Sequence, residues 1–278
     1  MGAKSIISKA LHGLSFIIHG QPSPIYANIT YLKPNERLAG KRIIVTGGGR
    51  GLGYAMAERF AAEGAKVLIA GRNIDTLKKS AEAIGCQYLP LDVQDVTQFA
   101  DFIEKAYNML GGLDCLVNNA GISLHEQDIF HVSEDQFDAQ ISTNFRGPYF
   151  LSQAFMDKCG TNNSNQTKKI LFVSSETGIT VDERPYGLTK AAVNSLVQGL
   201  AHKYVKQGFR INAIAPGVTI SDMVGKTDDG NLRYGEGRYF LPAEVAEVAC
   251  FLLSEASNCV NGQIIVCNEG KTINARWR

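Results

Sequence analysis

The sequence predicts an α/β protein built on a doubly wound parallel β-sheet with helices on both faces. Two observations carry that prediction. From Lys41 onward, short apolar runs alternate with amphipathic stretches of helix length, and the first run ends in a glycine-rich turn that leads straight into a helix. The runs "RIIVTG", "AKVLIAG", "LDCLVNNAG", "KKILFVSS", "FRINAIAPG" and "GQIIVCNEG" read as strands buried on both faces. Residues 54–64, 73–84, 96–110 and 134–158 read as the intervening helices. "CGTNNSNQTKK" is a polar loop, and residues 222–240 form an irregular segment rich in Gly, Asp and Tyr. No repeat and no linker divides residues 39–278, which are expected to form one domain.

Length and composition narrow the function classes. A chain of 278 residues with 45% hydrophobic and 20% charged residues can bury a substantial core. Lys and Arg number 28 against 27 Asp and Glu, a net charge of +1 that argues against nucleic acid or an anionic membrane as the main partner. The six cysteines include no Cys-x-x-Cys pair, and several fall in apolar runs; this points to buried thiols, a reducing, cytoplasmic compartment and no structural metal.

Residues 1–38 differ in character. Ile7, Leu11, Leu14 and Ile18 form a helical apolar stripe interrupted by Lys9 and His12, too short to span a bilayer. A cleaved signal peptide is an alternative, but the segment at 5–20 holds two histidines and two glycines. Met1-Gly2 opens like a myristoylation site, yet Ile6 stands where that pattern wants Ser or Thr. The favoured reading is an amphipathic arm that packs on its own domain or on a second subunit. The sequons at Asn28, Asn162 and Asn165 would matter only in a secreted protein.

The first strand runs into Thr46-Gly47-Gly48-Gly49-Arg50-Gly51-Leu52-Gly53 and then a helix. Glycines there let the backbone turn sharply and approach a pyrophosphate, while the helix N-terminus offers free amide donors and a positive dipole end. The second strand ends in Gly71-Arg72, with no acid before Asp75. A ribose 2′-hydroxyl calls for a carboxylate at that place, a 2′-phosphate for a cation, so Arg72 and Arg50 favour NADP(H) over NAD(H). The competing reading is an arginine that merely solvates a loop. Further on, "ERPYGLTKAAV" places Tyr186 and Lys190 one turn apart on a helix that Pro185 would start.

Taken in order, these motifs resemble the short-chain dehydrogenase/reductase family from about Lys41 to Gly270, in its single-domain group that includes the 3-oxoacyl-ACP reductases. The resemblance rests on Thr46 to Gly53, Asp92 in "PLDV", "NNAG" at Asn118 to Gly121, Asn144 in "STNFRG", Ser175 in "VSSETG", Tyr186 with Lys190, and "APG" at Ala215 to Gly217. It implies a Rossmann-type fold and hydride transfer between nicotinamide and a carbonyl or secondary alcohol. Cofactor contacts are expected from Thr46, Gly47, Arg50, Gly51, Leu52, Gly53, Arg72, Asp92, Val93, Asn119, Ala120, Gly121, Tyr186, Lys190, Pro216, Gly217, Thr219 and Ser221. Within them, Asp92 meets the adenine, Lys190 the nicotinamide ribose, and Pro216 through Ser221 border the nicotinamide.

The same resemblance assigns the chemistry. Tyr186 is the general acid/base, since charge develops on the substrate oxygen and needs a proton donor within reach. Lys190 is expected to lower the phenol pKa as a neighbouring ammonium. Ser175 supports the developing oxyanion, and Asn144 positions a water that connects Lys190 to solvent. There are departures: the segment from Ser175 to Tyr186 is about two residues shorter than the family pattern and contains Asp182-Glu183-Arg184, Ser221 replaces a usual threonine, and "CNEG" replaces a usual Asp-Gly.

His125, His131, Arg184, Arg233, Tyr234, Arg238, Tyr239 and Phe240 fall in segments expected near the mouth of the site. A 3-oxoacyl thioester, a hydroxysteroid and a small ketone all stay open as substrates. The family further implies a homodimer or homotetramer, paired through the helices at residues 134–158 and 186–206. Two other functions are weighed: a non-catalytic NADP(H)-binding sensor or scaffold of the same fold, and a sugar-nucleotide epimerase, which the short stretch after Gly217 disfavours.

Overall fold

The computed structural model describes residues 35–160, 167–225, 232–234 and 237–273, apart from the Asp222 side chain. The arm through residue 34, the loop at 161–166, and parts of the irregular 222–240 segment lie outside the described residues. The main-sheet strands, in chain order, are β1 Arg42–Thr46, β2 Lys66–Gly71, β3 Gln87–Pro90, β4 Cys115–Asn118, β5 Lys168–Val173, β6 Phe209–Pro216 and, last, Ile264–Cys267. A short antiparallel ribbon, β7 Arg233–Tyr234 and β8 Gly237–Arg238, precedes that last strand, which is therefore β9. The helices are α1 Gly51–Ala62, α2 Ile74–Ile84, α3 Phe99–Leu110, α4 Glu134–Ile141, α5 Gly147–Gly160, α6 Pro185–Tyr204 and α7 Pro242–Leu253.

The seven strands pair in the order β3-β2-β1-β4-β5-β6-β9, every pair parallel. This is the doubly wound sheet the sequence predicts. Side-chain alternation along each strand serves two cores at once. Ile44 of β1 joins Phe99, Phe102, Phe155, Val193 and Val197 from α3, α5 and α6 on one face. Its neighbours Ile43 and Val45 join Met56, Phe60, Leu77, Ala249 and Leu253 from α1, α2 and α7 on the other. The chain reverses its direction of travel across the sheet between β1 and β4. The C-terminal strand ends open a crevice at that switch point.

Several boundaries differ from expectation for physical reasons. Strand β3 is half-exposed at the sheet edge, and its "QYLP" lacks the continuous apolar run by which the buried strands are recognised. Helix α1 begins at Gly51 inside the glycine turn, three residues before the expected start at Tyr54, because two glycines in its first turn hide it from propensity. The helix expected over 134–158 is two helices joined by a π-helical turn, Ser142–Arg146. Arg37 and Leu38, placed in the arm by sequence, pack on the domain: Leu38 has no exposed surface, and Arg37 bridges Glu63 at 2.7 Å and Glu247 at 2.8 Å.

Opposite the crevice, buried charges clamp the strand starts. Asp114 takes Arg42 at 2.7 Å and Lys168 at 2.9 Å. Burial opposes its charge, but these two cations outweigh it and lower the carboxyl to about 2. Among the described residues, no helix is long and apolar enough to cross a membrane.

Candidate active site

The crevice is a cleft of about 930 Å³. Its floor begins at the end of β1, where the Thr46 hydroxyl accepts from the Asn119 and Ala120 amides at 3.0 and 3.1 Å and faces the Val117 carbonyl at 3.3 Å. Thr46 therefore pins β4 to β1 from behind; it is buried and does not line the cleft. Gly47 turns the chain at φ +66°, and a Cβ on Gly53 would sit 2.2 Å from the Gly47 carbonyl oxygen. Only glycine fits the second position, because helix α1 starts in contact with the turn. Arg50 at the N-cap supplies no side-chain cap, and the first turn of α1 has no acid, so the amide donors and dipole face the cleft.

Gly47, Arg50, Gly51, Leu52, Gly53, Arg72, Asp92, Val93, Asn119, Ala120, Gly121, Pro216, Gly217, Thr219 and Ser221 all line this one cleft. Arg72 is exposed at the end of β2, and Asn73 beside it caps α2 by accepting from the Thr76 amide at 2.8 Å. Asp75 does not line the cleft. The Asp92 carboxylate accepts from the Gln94 amide at 3.0 Å, holding the turn after β3. Across the cleft, the Thr219 hydroxyl donates to the Gly217 carbonyl at 2.9 Å. An open glycine cradle, an uncapped helix N-terminus and a cationic end to β2 fit a dinucleotide, and among the described residues no cluster of His, Cys, Asp or Glu could hold a metal.

Ser175, Tyr186 and Lys190 line the other half of the same cleft. Pro185 opens α6 and sets Tyr186 and Lys190 on its first turns. Lys190 is 4% exposed, and its ammonium donates to the Val173 carbonyl at 2.8 Å and lies 5.5 Å from the centroid of the Tyr186 ring. Ser175 lies two residues past the end of β5, and its oxygen accepts from the amide and hydroxyl of Thr177 at 3.2 and 3.0 Å. Asn144 stands behind this wall in the π-helical turn, 1% exposed, with its amide committed to Ile122. It does not line the cleft, and its side chain is a brace for the loop after β4.

The electrostatics correct one expectation. Burial raises the Tyr186 phenol above its ordinary value, and hydrogen bonding with Ser175 only partly opposes this. Burial also lowers Lys190, to about 8. Desolvation thus dominates both groups, raising the phenol and lowering the ammonium.

The short 175–186 segment closes on itself: Arg184 grips Asp182 with two bonds at 2.8 and 3.0 Å. At the mouth, His125, Arg184, Tyr234 and Tyr239 line the cleft, but His131, Arg233, Arg238 and Phe240 do not. His131 pairs with Asp128 at 2.7 Å, Arg238 with Glu244 and Glu269 at 2.8 and 2.7 Å, and Phe240 is buried against Gly217. The sequence reading missed Glu126, Thr143 and Glu176, which also line the cleft. They sit in loops and at a π turn, where no periodicity marks them.

A parallel sheet whose switch point carries a glycine cradle and a Ser-Tyr-Lys set in one cleft defines an NAD(P)-dependent oxidoreductase. Residues 47–272 match the family described as Enoyl-(Acyl carrier protein) reductase. The chain is 33% identical over 252 residues to the 3-oxoacyl-[acyl-carrier-protein] reductase FabG of Thermotoga maritima, covering 85% of this chain and 100% of that one. It is 32% identical over 251 residues to the gluconate 5-dehydrogenase of Gluconobacter oxydans, covering 85% and 96%. A short-chain dehydrogenase of Burkholderia cenocepacia, solved in complex with NADP, superposes with a TM-score of 0.73 at 28% identity, covering 84% of this chain and 98% of that one. The protein belongs to the short-chain dehydrogenase/reductase family.

Proposed function

We propose that the protein is an NADP(H)-dependent reductase or dehydrogenase that interconverts a carbonyl compound and its secondary alcohol, with Tyr186 as proton donor and acceptor. The observation that carries this reading is the convergence of Ser175, Tyr186 and Lys190 on the cleft that also holds the glycine cradle. NADPH, when bound, supplies the hydride. Ser175 then hydrogen-bonds the carbonyl oxygen as charge develops, and the Tyr186 hydroxyl gives its proton to that oxygen. Lys190 stabilises the phenolate left behind, and Asn144 keeps the loop beyond Gly121 seated against Lys190. Preference for the phosphorylated cofactor is supported by Arg72 at the end of β2 and by the absence of any carboxylate from residues 71–77 in the cleft lining.

The domain is read as including Arg37 and Leu38 and following an amphipathic arm, and as pairing with copies of itself through α4, α5 and α6. Its scattered thiols suit a reducing, cytoplasmic compartment. Oxidation of NADPH, and separately NADH, against a panel of carbonyl compounds tests the reading. Turnover favouring NADPH supports it; tight NADPH binding with no turnover of any carbonyl would favour a sensor or scaffold.

A further inference from the structure

The loop after β4 carries a carboxylate that neither proton transfer nor cofactor binding uses. Glu126 is only 6% exposed yet lines the cleft together with Ser175 and Tyr186. Its Oε1 accepts from Nε2 of Gln140, an α4 residue with no exposed surface. The Gln140 Oε1 is buried without a partner among the described residues. Buried amide oxygens are ordinarily satisfied, so the pair is arranged around the carboxylate and not around the glutamine. The second carboxylate oxygen, Oε2, makes no hydrogen bond among the described residues and is the acceptor left to the cleft.

The backbone enforces this placement. His125 sits at φ +56°, a left-handed conformation uncommon outside glycine, and its Nε2 lies 2.8 Å from the Met223 carbonyl of the segment after β6. Consecutive side chains are thereby sent to different partners, His125 to that segment and Glu126 to Gln140. Nearby charges are matched: Arg184 is held by Asp182 and also lies within electrostatic reach of Glu126, while Glu176 on the same cleft meets Asn268 at 3.0 Å and Lys271 at 3.4 Å. Tyr234 and Tyr239, with ring centroids 4.7 Å apart, add apolar faces with hydroxyl tips.

We propose that Glu126 determines substrate specificity by accepting hydrogen bonds from the hydroxyl groups of a neutral, polyhydroxylated carbonyl compound; this rests on the reductase reading above. An ionised carboxylate is an acceptor only. A substrate without donors would strip its water and leave it unpartnered, and an anionic substrate, such as one carried on a phosphorylated arm, would be repelled.

The test compares wild type, Glu126→Gln and Glu126→Leu with NADPH on a neutral ketohexose, a small diketone and a 3-oxoacyl thioester. Wild type is expected to prefer the ketohexose. Glu126→Leu should lose about 100-fold in kcat/KM on it, mostly through KM, while diketone turnover and NADPH affinity stay within about three-fold. Glu126→Gln should fall between them. Equal losses on ketohexose and diketone, or a wild-type preference for the thioester or diketone, would overturn the inference and leave the reductase standing. Absence of turnover on all three substrates by wild type that binds NADPH would overturn the reductase reading and this inference together.

Discussion

Asn144 holds both backbone groups of Ile122: its Oδ1 accepts from the Ile122 amide and its Nδ2 donates to the Ile122 carbonyl, each at 2.8 Å. The pair ties the π-helical turn to the loop after β4. A Cβ added to the adjoining Gly121 would lie 3.3 Å from Asn144 Oδ1 and 3.6 Å from Lys190 Nζ, so the brace also fixes how closely this loop approaches the lysine. A one-residue widening of a helix turns Asn144 toward that loop, and such π turns recur at functional sites.

Asn144→Asp replaces the donor facing the Ile122 carbonyl with a second acceptor. It is expected to destabilise the fold by about 1–3 kcal/mol and to lower kcat more than it raises the NADPH KM. Urea unfolding and steady-state kinetics check both, and an unchanged midpoint would remove Asn144 from its bracing role.

Arg72→Ala removes the cation at the end of β2. NADPH affinity is expected to fall about ten-fold or more, a charge-assisted contact's worth, with NADH affinity nearly unchanged. Fluorescence titration with both cofactors measures the difference, and equal losses would place the 2′-phosphate elsewhere.

Gly53→Ala puts a methyl group 2.2 Å from the Gly47 carbonyl oxygen. Overpacking of this kind costs about 1–3 kcal/mol, and the turn has to shift from its anion-binding shape. A lowered Tm with NADPH binding weakened at least as much is expected; wild-type affinity would show that the turn tolerates a side chain.

Lys190 gives a stability prediction with a definite sign. Its folded pKa is lowered from 10.5 to about 8 by burial, so between those values the unfolded chain binds more protons and stability rises with pH. The charge penalty is fully present below about 8 and gone above about 10.5. Lys190→Met is therefore expected to be more stable than wild type at pH 7, by about 1–3 kcal/mol after the Val173 hydrogen bond is lost, with the gap closing toward pH 10. Denaturant melts across that range check it; a variant less stable than wild type at pH 7 would contradict the sign.

Much of the fold was legible because the central strands are buried on both faces and read as unbroken apolar runs. Strand β3 escaped because the edge of the sheet leaves Gln87 and Pro90 exposed. The glycine cradle, Arg72 and the Tyr186-Lys190 pair were legible from local sequence and Asp92 through the family resemblance, and all line one cleft. The π turn at Asn144 was not, since backbone hydrogen-bond register leaves no mark on residue spacing. Glu126 was hidden for another reason: its burial depends on Gln140, fourteen residues away on another element. The direction of the Tyr186 shift was misjudged because spacing reports the neighbouring charge and not the loss of water around both groups.

The central claim is that the Tyr186 hydroxyl moves the proton. The most direct measurement is NADPH oxidation by Tyr186→Phe beside wild type on whichever carbonyl the wild type reduces, with NADPH affinity titrated in parallel. A loss of about 10²–10⁴-fold in kcat with affinity within a few-fold is the predicted result. Turnover by the phenylalanine variant equal to that of wild type would contradict the account.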